Sequence, residues 1–187
     1  VNCEFHTFDG TALRLINERN DVLENILVHD ADYSCIGRAL TFDLERSRGI
    51  HLNRFTIYNT GSGQCVKASD FGQIAYGHFW DICAFQSDGT AIQIGEFDRV
   101  EYDHNWSHDH GKLSYRFDGG GGPPAVPSSN GTMNHNVAWN CGQMQIKGDQ
   151  QLINNNTLWN TPGMCTLLWE KMNGFHLETV VVNNLST

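Results

Sequence analysis

The chain has 187 residues, 40% of them apolar, and its 12 Lys and Arg face 21 Asp and Glu for a formal net charge of −9. That is one domain's length with ordinary apolar content. The acidic balance and the lack of any basic run exclude nucleic acid and anionic membrane surfaces as expected partners, and no apolar run is long enough to span a bilayer.

Short alternating runs recur along the chain. In order they are Ala12-Leu13-Arg14-Leu15, Ala39-Leu40-Thr41-Phe42, Cys65-Val66-Lys67-Ala68, Ala91-Ile92-Gln93-Ile94, Ser114-Tyr115-Arg116-Phe117, Gln143-Met144-Gln145-Ile146 and Cys165-Thr166-Leu167-Leu168, spaced by 27, 26, 26, 23, 29 and 22 residues. Their second and fourth positions are almost all apolar, the period-2 pattern of a strand with one buried face. A second run follows in most units: Asn25 to Val28, Arg54 to Ile57, Asn105 to His108, Asn136 to Trp139, Asn156 to Trp159 and Thr179 to Val182. The third unit is degenerate near His78-Phe79-Trp80-Asp81. The phrase Asn136-Val137-Ala138-Trp139-Asn140 returns as Asn156-Thr157-Leu158-Trp159-Asn160. Units of this length leave no room for a crossover helix. Strands that pair with their equivalents in the next unit build a stacked solenoid. Neighbouring strands then lie about 4.8 Å apart, and the repeated Asn is expected to form a ladder of side-chain amides.

These repeats resemble the right-handed parallel β-helix proteins of the pectate-lyase-like superfamily. The strongest phrases are Tyr115-Arg116-Phe117-Asp118-Gly119, Asn134 to Asn140, Ile146-Lys147-Gly148-Asp149 and Asn155-Asn156-Thr157. The resemblance implies an all-β, right-handed parallel β-helix of about seven coils filling one domain over 1–187. Residues 119–131, rich in Gly, Pro and Ser, read as a loop excursion. The chain opens on Val1-Asn2-Cys3, as a mature product or an excerpt would. No polar cap follows Val180-Val181-Val182, so further coils or a self-associating partner are expected beyond that end.

Six Cys and four Asn-X-Ser/Thr sequons suggest an extracellular, disulfide-bonded glycoprotein. Stacking favours Cys35–Cys65 and Cys141–Cys165 as the bridges, although six cysteines allow fifteen pairings and buried free thiols are common. The sequons are Asn105, Asn130, Asn155 and Asn184, with Asn130 in the loop the best acceptor.

The densest polar cluster runs from Asp103 to His110. On a strand, His104 and His108 lie about 13 Å apart, too far for one metal. A better constellation comes from stacking, because His29-Asp30, Tyr58-Asn59, His108-Asp109, Asn140 and Asn160 share one phase, with Asp32 and Asp81 nearby. Such a stripe suits an extended polysaccharide, with aromatic side chains such as Tyr33 and Tyr58 against sugar rings; it equally suits Asn and Asp serving turn backbone. The resemblance also implies a lyase reading, with Lys67, Arg116 or Lys147 as base and calcium held by Asp118 and Asp149. No cluster of three carboxylates surrounds these bases, so no catalytic set carries over, and no cofactor is expected unless the chain is such a lyase. The reading is therefore a structural or interaction segment of an extracellular glycoprotein, one expected to assemble end to end into a filament. The alternatives are a polysaccharide lyase or glycoside hydrolase, or a non-catalytic carbohydrate-binding spike.

Overall fold

A computed structural model of the chain describes residues 2–32, 40–61, 63–86, 88–95, 97–118, 128–163, 165–167 and 178–187, with the side chains of residues 40 and 165–167 outside that description. Among these residues the fold is all-β, and every strand pairing is parallel. No helix among the described residues is long and apolar enough to cross a membrane.

The strands form two sheets. In the first, β1 (Cys3–Phe8), β3 (Val22–Ala31), β5 (His51–Thr60) and β7 (Gly72–Trp80) lie side by side. Beyond β7 each long strand becomes two. The first half of β7 pairs with β9 (Val100–Asp103), and its second half with β10 (Trp106–His108). The arms continue through β12 (Gly131–Asn134), β15 (Leu152–Asn154) and β18 (Val180–Val182), and through β13 (Val137–Trp139), β16 (Thr157–Trp159) and β19 (Leu185–Ser186). The second sheet stacks β2 (Leu13–Arg14), β4 (Leu40–Asp43), β6 (Gln64–Lys67), β8 (Thr90–Ile94), β11 (Leu113–Phe117), β14 (Met144–Ile146) and β17 (Cys165–Leu167) in chain order.

What makes each unit bend is visible in the backbone. Asn25, Arg54, Tyr76, His104, His135, Asn155 and Asn183 occupy one register position, and all have φ between 51° and 58°. A second such column is Thr7, Asp30, Asn59, Asp81, Asp109, Asn140 and Asn160, with φ from 47° to 55°. A third holds Asn20, Gly49, Phe71, Asn130, Gln150 and Glu178. Asn and Asp dominate because their short polar side chains tolerate the left-handed region. Each unit therefore turns at fixed points, and like residues stack on like.

The first-run alignment from the sequence holds from Val66 to Ile146: Val66 pairs with Ile92, Phe117 with Ile94 and with Ile146. It slips by two at the start, where Leu13 pairs with Phe42 and Phe42 with Val66. At the end it slips by one, Met144 pairing with Cys165. The second runs shift too. Asn25 falls at the bend rather than in the ladder, and Val180 to Val182 belong to the other arm, above Leu152 to Asn154. Alternation alone leaves register free by two residues, and here the bends set it.

Between the sheets lies one core. Leu44, Ala68, Ile94, Phe117 and Ile146 form one inward column, and Phe42, Val66, Ile92, Tyr115 and Met144 another, all at most 1% exposed, so Phe42 stands one column away from where its sequence alignment puts it. Tyr115 ties the sheets together, its hydroxyl donating to the Asn105 carbonyl at 2.9 Å. The expected Asn ladder is present at Asn105, Asn136, Asn156 and Asn184. Each Nδ2 but the last donates to the next Oδ1, at 2.9 to 3.0 Å. Each also reaches a carbonyl of the preceding strand, such as Ile74 or Tyr102. In the earlier units the same position holds Ile26 and Phe55, and Gly77 lies at the change, its N–H donating to Asn105 Oδ1 at 2.9 Å.

Neither expected cysteine bridge is seen at bonding distance among the described residues. Cys65 and Cys141 are free thiols. Cys65 is packed with its Sγ 3.9 Å from Cys83 and 3.7 Å from Thr60 Oγ1, and the Cys141 thiol donates to the Ser107 carbonyl. A bridge needs sulfurs about 2.05 Å apart. Cys35 and the Cys165 side chain lie outside the described residues. Most of the 119–131 excursion does too, but its last residues are ordered into the fold: Ser128 Oγ donates to the Asp118 carbonyl at 2.7 Å, and Gly131 begins β12.

Candidate ligand-binding face

The outward positions of the second arm carry rings in almost every unit. In register these are His6, His29, Tyr58, Trp80, His108, Trp139 and Trp159. Most of them stack. Ring centroids are 5.4 Å apart for His6–His29, 5.0 Å for His29–Tyr58, 4.5 Å for Tyr58–Trp80, 5.9 Å for Trp80–His108 and 4.1 Å for His108–Trp139, with interplanar angles of 3° to 11°. The spacing follows the strand repeat, which is within stacking distance for aromatic side chains.

One residue further along runs the bend column Asp30, Asn59, Asp81, Asp109, Asn140 and Asn160. It is linked lengthwise: Asn59 donates to Asp30, Asn140 to Asp109 at 2.7 Å, and Asn160 to Asn140 at 2.8 Å. Thus His29, Asp30, Tyr58, His108 and Asp109 stand together on one face as two adjacent columns. Asp32 does not join them; it is buried and accepts from the Gly10 N–H. Tyr33 lies outside the described residues. Two open depressions flank the polar column. One of about 550 Å³ is lined by His110, Asn140, Cys141, Asn160 and Thr161, and one of about 460 Å³ by Asn59, Asp81, Asp109, His110 and Lys112.

The sequence reading missed half of this face. Trp80, Trp139 and Trp159 extend the ring column, and His78 and Trp106 sit two residues before Trp80 and His108. Trp106 is 52% exposed and Trp159 56%. Trp106 stands at 84° to His78 and 72° to Trp139, so neither covers its face. The slip in the third unit hid Trp80; it was legible from the repeated aromatic–Asx pair Tyr58-Asn59, Trp80-Asp81, Trp139-Asn140.

Charge is managed within the column. His29 is held between Glu4 at 2.9 Å and Asp30 at 2.7 Å, which raises its pKa and lowers those of both carboxyls. His108 Nδ1 bonds Asp109 Oδ2 at 2.8 Å while its Nε2 lies 2.8 Å from His78 Nε2. An ionised carboxylate only accepts, so His108 Nδ1 carries hydrogen, and the two Nε2 atoms share one proton between them. Burial, with His108 alongside, depresses the His78 pKa.

The lyase candidates come together differently from what that chemistry needs. Asp118 accepts from Arg116 and Lys147, each at 2.6 Å, and from Gln93 at 3.0 Å; Arg116 also bonds Asp88 at 2.6 Å. Lys67 pairs with Glu45 at 2.5 Å. Each candidate base is thus held by a carboxylate, and Asp118 is occupied by cations rather than open to calcium. The Asp149 backbone pairs with that of Ser129, and neither Asp118 nor Asp149 joins a three-ligand group among the described residues.

A buried Ser–His contact also has the wrong polarity for catalysis. His110 Nε2 lies 2.7 Å from Ser107 Oγ, while its Nδ1 accepts from the Lys112 N–H at 3.3 Å. With Nδ1 accepting, the neutral ring carries its hydrogen on Nε2 and donates to Ser107, so it does not withdraw the hydroxyl proton. Burial takes the His110 pKa down to about 4 and that of Cys141 up to about 12.

The sequons divide. Asn105 is fully buried with its Nδ2 in the ladder, and the Nδ2 of Asn184 donates to Ile153 and Val182 carbonyls. A glycan on either nitrogen is incompatible with those bonds. Asn130 and Asn155 are exposed at bends. No protein-family model matches the chain, and neither a curated protein nor a solved structure matches it.

Proposed function

We propose that the units wind as a right-handed parallel β-helix of about seven coils, of the pectate-lyase-like kind, and that the chain is a non-catalytic interaction segment whose ring-and-Asx face binds an extended polysaccharide. Seven strands stacked along the first arm, from β3 to β18, eight along the second, from β1 to β19, and the recurring left-handed bends support the winding. The observation that carries the binding reading is the ring column from His6 to Trp159, running beside an amide and carboxylate column bordered by open depressions. Stacked rings give a stiff apolar wall, half-exposed Trp106 and Trp159 give ring faces for pyranose C–H surfaces, and Asn and Asp give acceptors and donors at the strand repeat. The ligand favoured is a neutral glycan, because this face is acidic and the chain carries net charge −9. Binding is favoured over a lyase because Arg116, Lys147 and Lys67 are all held by carboxylates. An extracellular setting, end-to-end assembly and glycan at Asn130 are further parts of the proposal that fit such a role.

Affinity electrophoresis through gels containing neutral glucans, mannans or galactans, beside polygalacturonate, tests the reading. Retardation by a neutral polymer that weakens in Trp106→Ala and Trp159→Ala is expected. Release of reducing or unsaturated sugars, or no retardation by any neutral polymer, would overturn it.

A further inference from the structure

At the first bend the column changes character. Two consecutive units place histidine there, His104 above β9 and His135 above β12, and their rings stack at 4.8 Å with an interplanar angle of 25°. Asp103 lies beside them, between the strands' ends. Its Oδ2 is 2.8 Å from His104 Nδ1, and its Oδ1 is 3.6 Å from His135 Nδ1 and accepts from Asn134 Nδ2 at 3.3 Å. One ligand atom from each of the three residues falls within 4.8 Å of the others, the one such group of three among the described residues. Both imidazoles are about half exposed, at 46% and 47%, while Asp103 is at 15%.

We propose that Asp103, His104 and His135 form a surface site for a divalent transition metal, zinc above all, independent of the glycan-binding reading. The donor set is two imidazoles and one carboxylate, which suits Zn²⁺ and its borderline neighbours and is poor for Ca²⁺ or Mg²⁺. The dimensions agree. Metal–ligand bonds of about 2.0–2.2 Å in a tetrahedron separate ligand atoms by roughly 3.3–3.6 Å, and the Asp103–His135 separation already has that length. The His104 Nδ1 contact with Asp103 is a hydrogen bond that opens by a small ring rotation once the proton is replaced by metal. Cross-strand stacking fixes the two imidazoles, and Tyr76 backs His104 from the preceding unit at 5.2 Å. Three protein ligands leave the outward position for water or a solvent-side ligand. No single stretch of sequence shows this site, since His104 and His135 are 31 residues apart and meet only through the register of β9 with β12.

Isothermal titration of the metal-free protein with ZnCl₂ at pH 7.5, and of the same protein with CoCl₂ followed by visible absorption, tests the site. One Zn²⁺ per chain and the ligand-field bands of four-coordinate Co²⁺ are expected. His104→Asn and His135→Asn should each weaken Zn²⁺ by at least about tenfold, and both are tolerable because the column itself carries Asn25, Asn155 and Asn183 in the same backbone conformation. Asp103→Asn should weaken it as well, and His51→Asn, an exposed histidine on β5, should leave it unchanged. Circular dichroism of each variant confirms that the sheets are intact. Equal Zn²⁺ binding by wild type and the His104→Asn/His135→Asn double variant would overturn the proposal. So would the lack of any stoichiometric uptake by the wild type.

Discussion

Oδ1 of Asn156 accepts two hydrogen bonds from Asn136 of the preceding unit, one from its backbone N–H at 2.9 Å and one from its side-chain Nδ2 at 3.0 Å. The same relation joins Asn105 to Asn136 and Asn156 to Asn184. From Tyr76 onward, each bend of this column thus has the N–H that follows it satisfied by a side chain from the next unit, where strand pairing is interrupted. Asn156→Leu keeps volume but strands the Asn136 N–H and the Met133 carbonyl. With about 1–3 kcal/mol for each orphaned buried group, a loss of roughly 2–6 kcal/mol is expected in urea denaturation. A loss below about 1 kcal/mol would mean that the ladder is not a stabilising element.

Gly77 is required by space. A Cβ there falls on the Phe55 ring and 2.9 Å from Asn105 Oδ1. Gly77→Ala should lower stability by about 1–3 kcal/mol through overpacking. Trimming the ring in Gly77→Ala/Phe55→Leu should give a double-variant cycle in which the glycine substitution costs less, by at least about 0.5 kcal/mol. Strict additivity would place the cost elsewhere.

Acid should weaken the fold through His110. Buried beside Ser107, it takes a proton only near pH 4, whereas an unfolded histidine does so near its ordinary value of about 6.5. The unfolded chain therefore binds the proton first. This stability is fully present above about pH 6.5 and is lost as pH falls toward 4, of order 3 kcal/mol in all. His29 works in the opposite sense, since its raised pKa gives stability that fades as pH rises past its folded value. Urea midpoints measured from pH 4 to pH 7 should rise with pH, and His110→Gln should flatten that rise. An unchanged slope in His110→Gln would assign the acid sensitivity to other groups.

Cys65 and Cys83 should be silent toward thiol reagents in the folded protein and reactive in urea. Both are fully buried, and burial raises the Cys83 pKa well above its ordinary value. Labelling followed by peptide mapping reads each thiol. Recovery of either residue in a disulfide from the folded, non-reduced protein would contradict the arrangement.

Ile146→Ala removes a side chain with no exposure at the centre of the inward column and should cost about 2–5 kcal/mol. The same truncation at half-exposed Val182 should cost far less, and similar losses at both would mean the core is not where the sheets place it.

How much of this was legible in the sequence depends on what fixes each feature. Alternation alone predicted the inward columns through Ile92, Ile94, Tyr115, Phe117, Met144 and Ile146, because an apolar residue every second position has one solution once strands stack. The ladder was visible from repeated Asn, and the stripe of His29, Asp30, Tyr58, His108 and Asp109 from their common phase. Register near the ends was not legible, because the bend residues that fix it include Arg54, Tyr76 and Thr7, which carry no turn signature. The Asp103–His104–His135 group escaped for a related reason. Its spacing is set by the length of one whole unit, and local ligand spacings are silent about partners that meet across strands.

Thr132 and Leu152 are register partners, so residues 132–151 carry the chain through one full period in 20 residues. That segment contains one member of each kind: a left-handed bend at His135, a ladder amide at Asn136, a ring at Trp139, an Asx at Asn140 and a core side chain at Ile146. An in-frame tandem copy of these 20 codons would present to Leu152 the same edge that Gln151 now delivers. The molecule would lengthen by about 4.8 Å, with every column one step longer. Growth of such a chain by duplication thus needs no new junction.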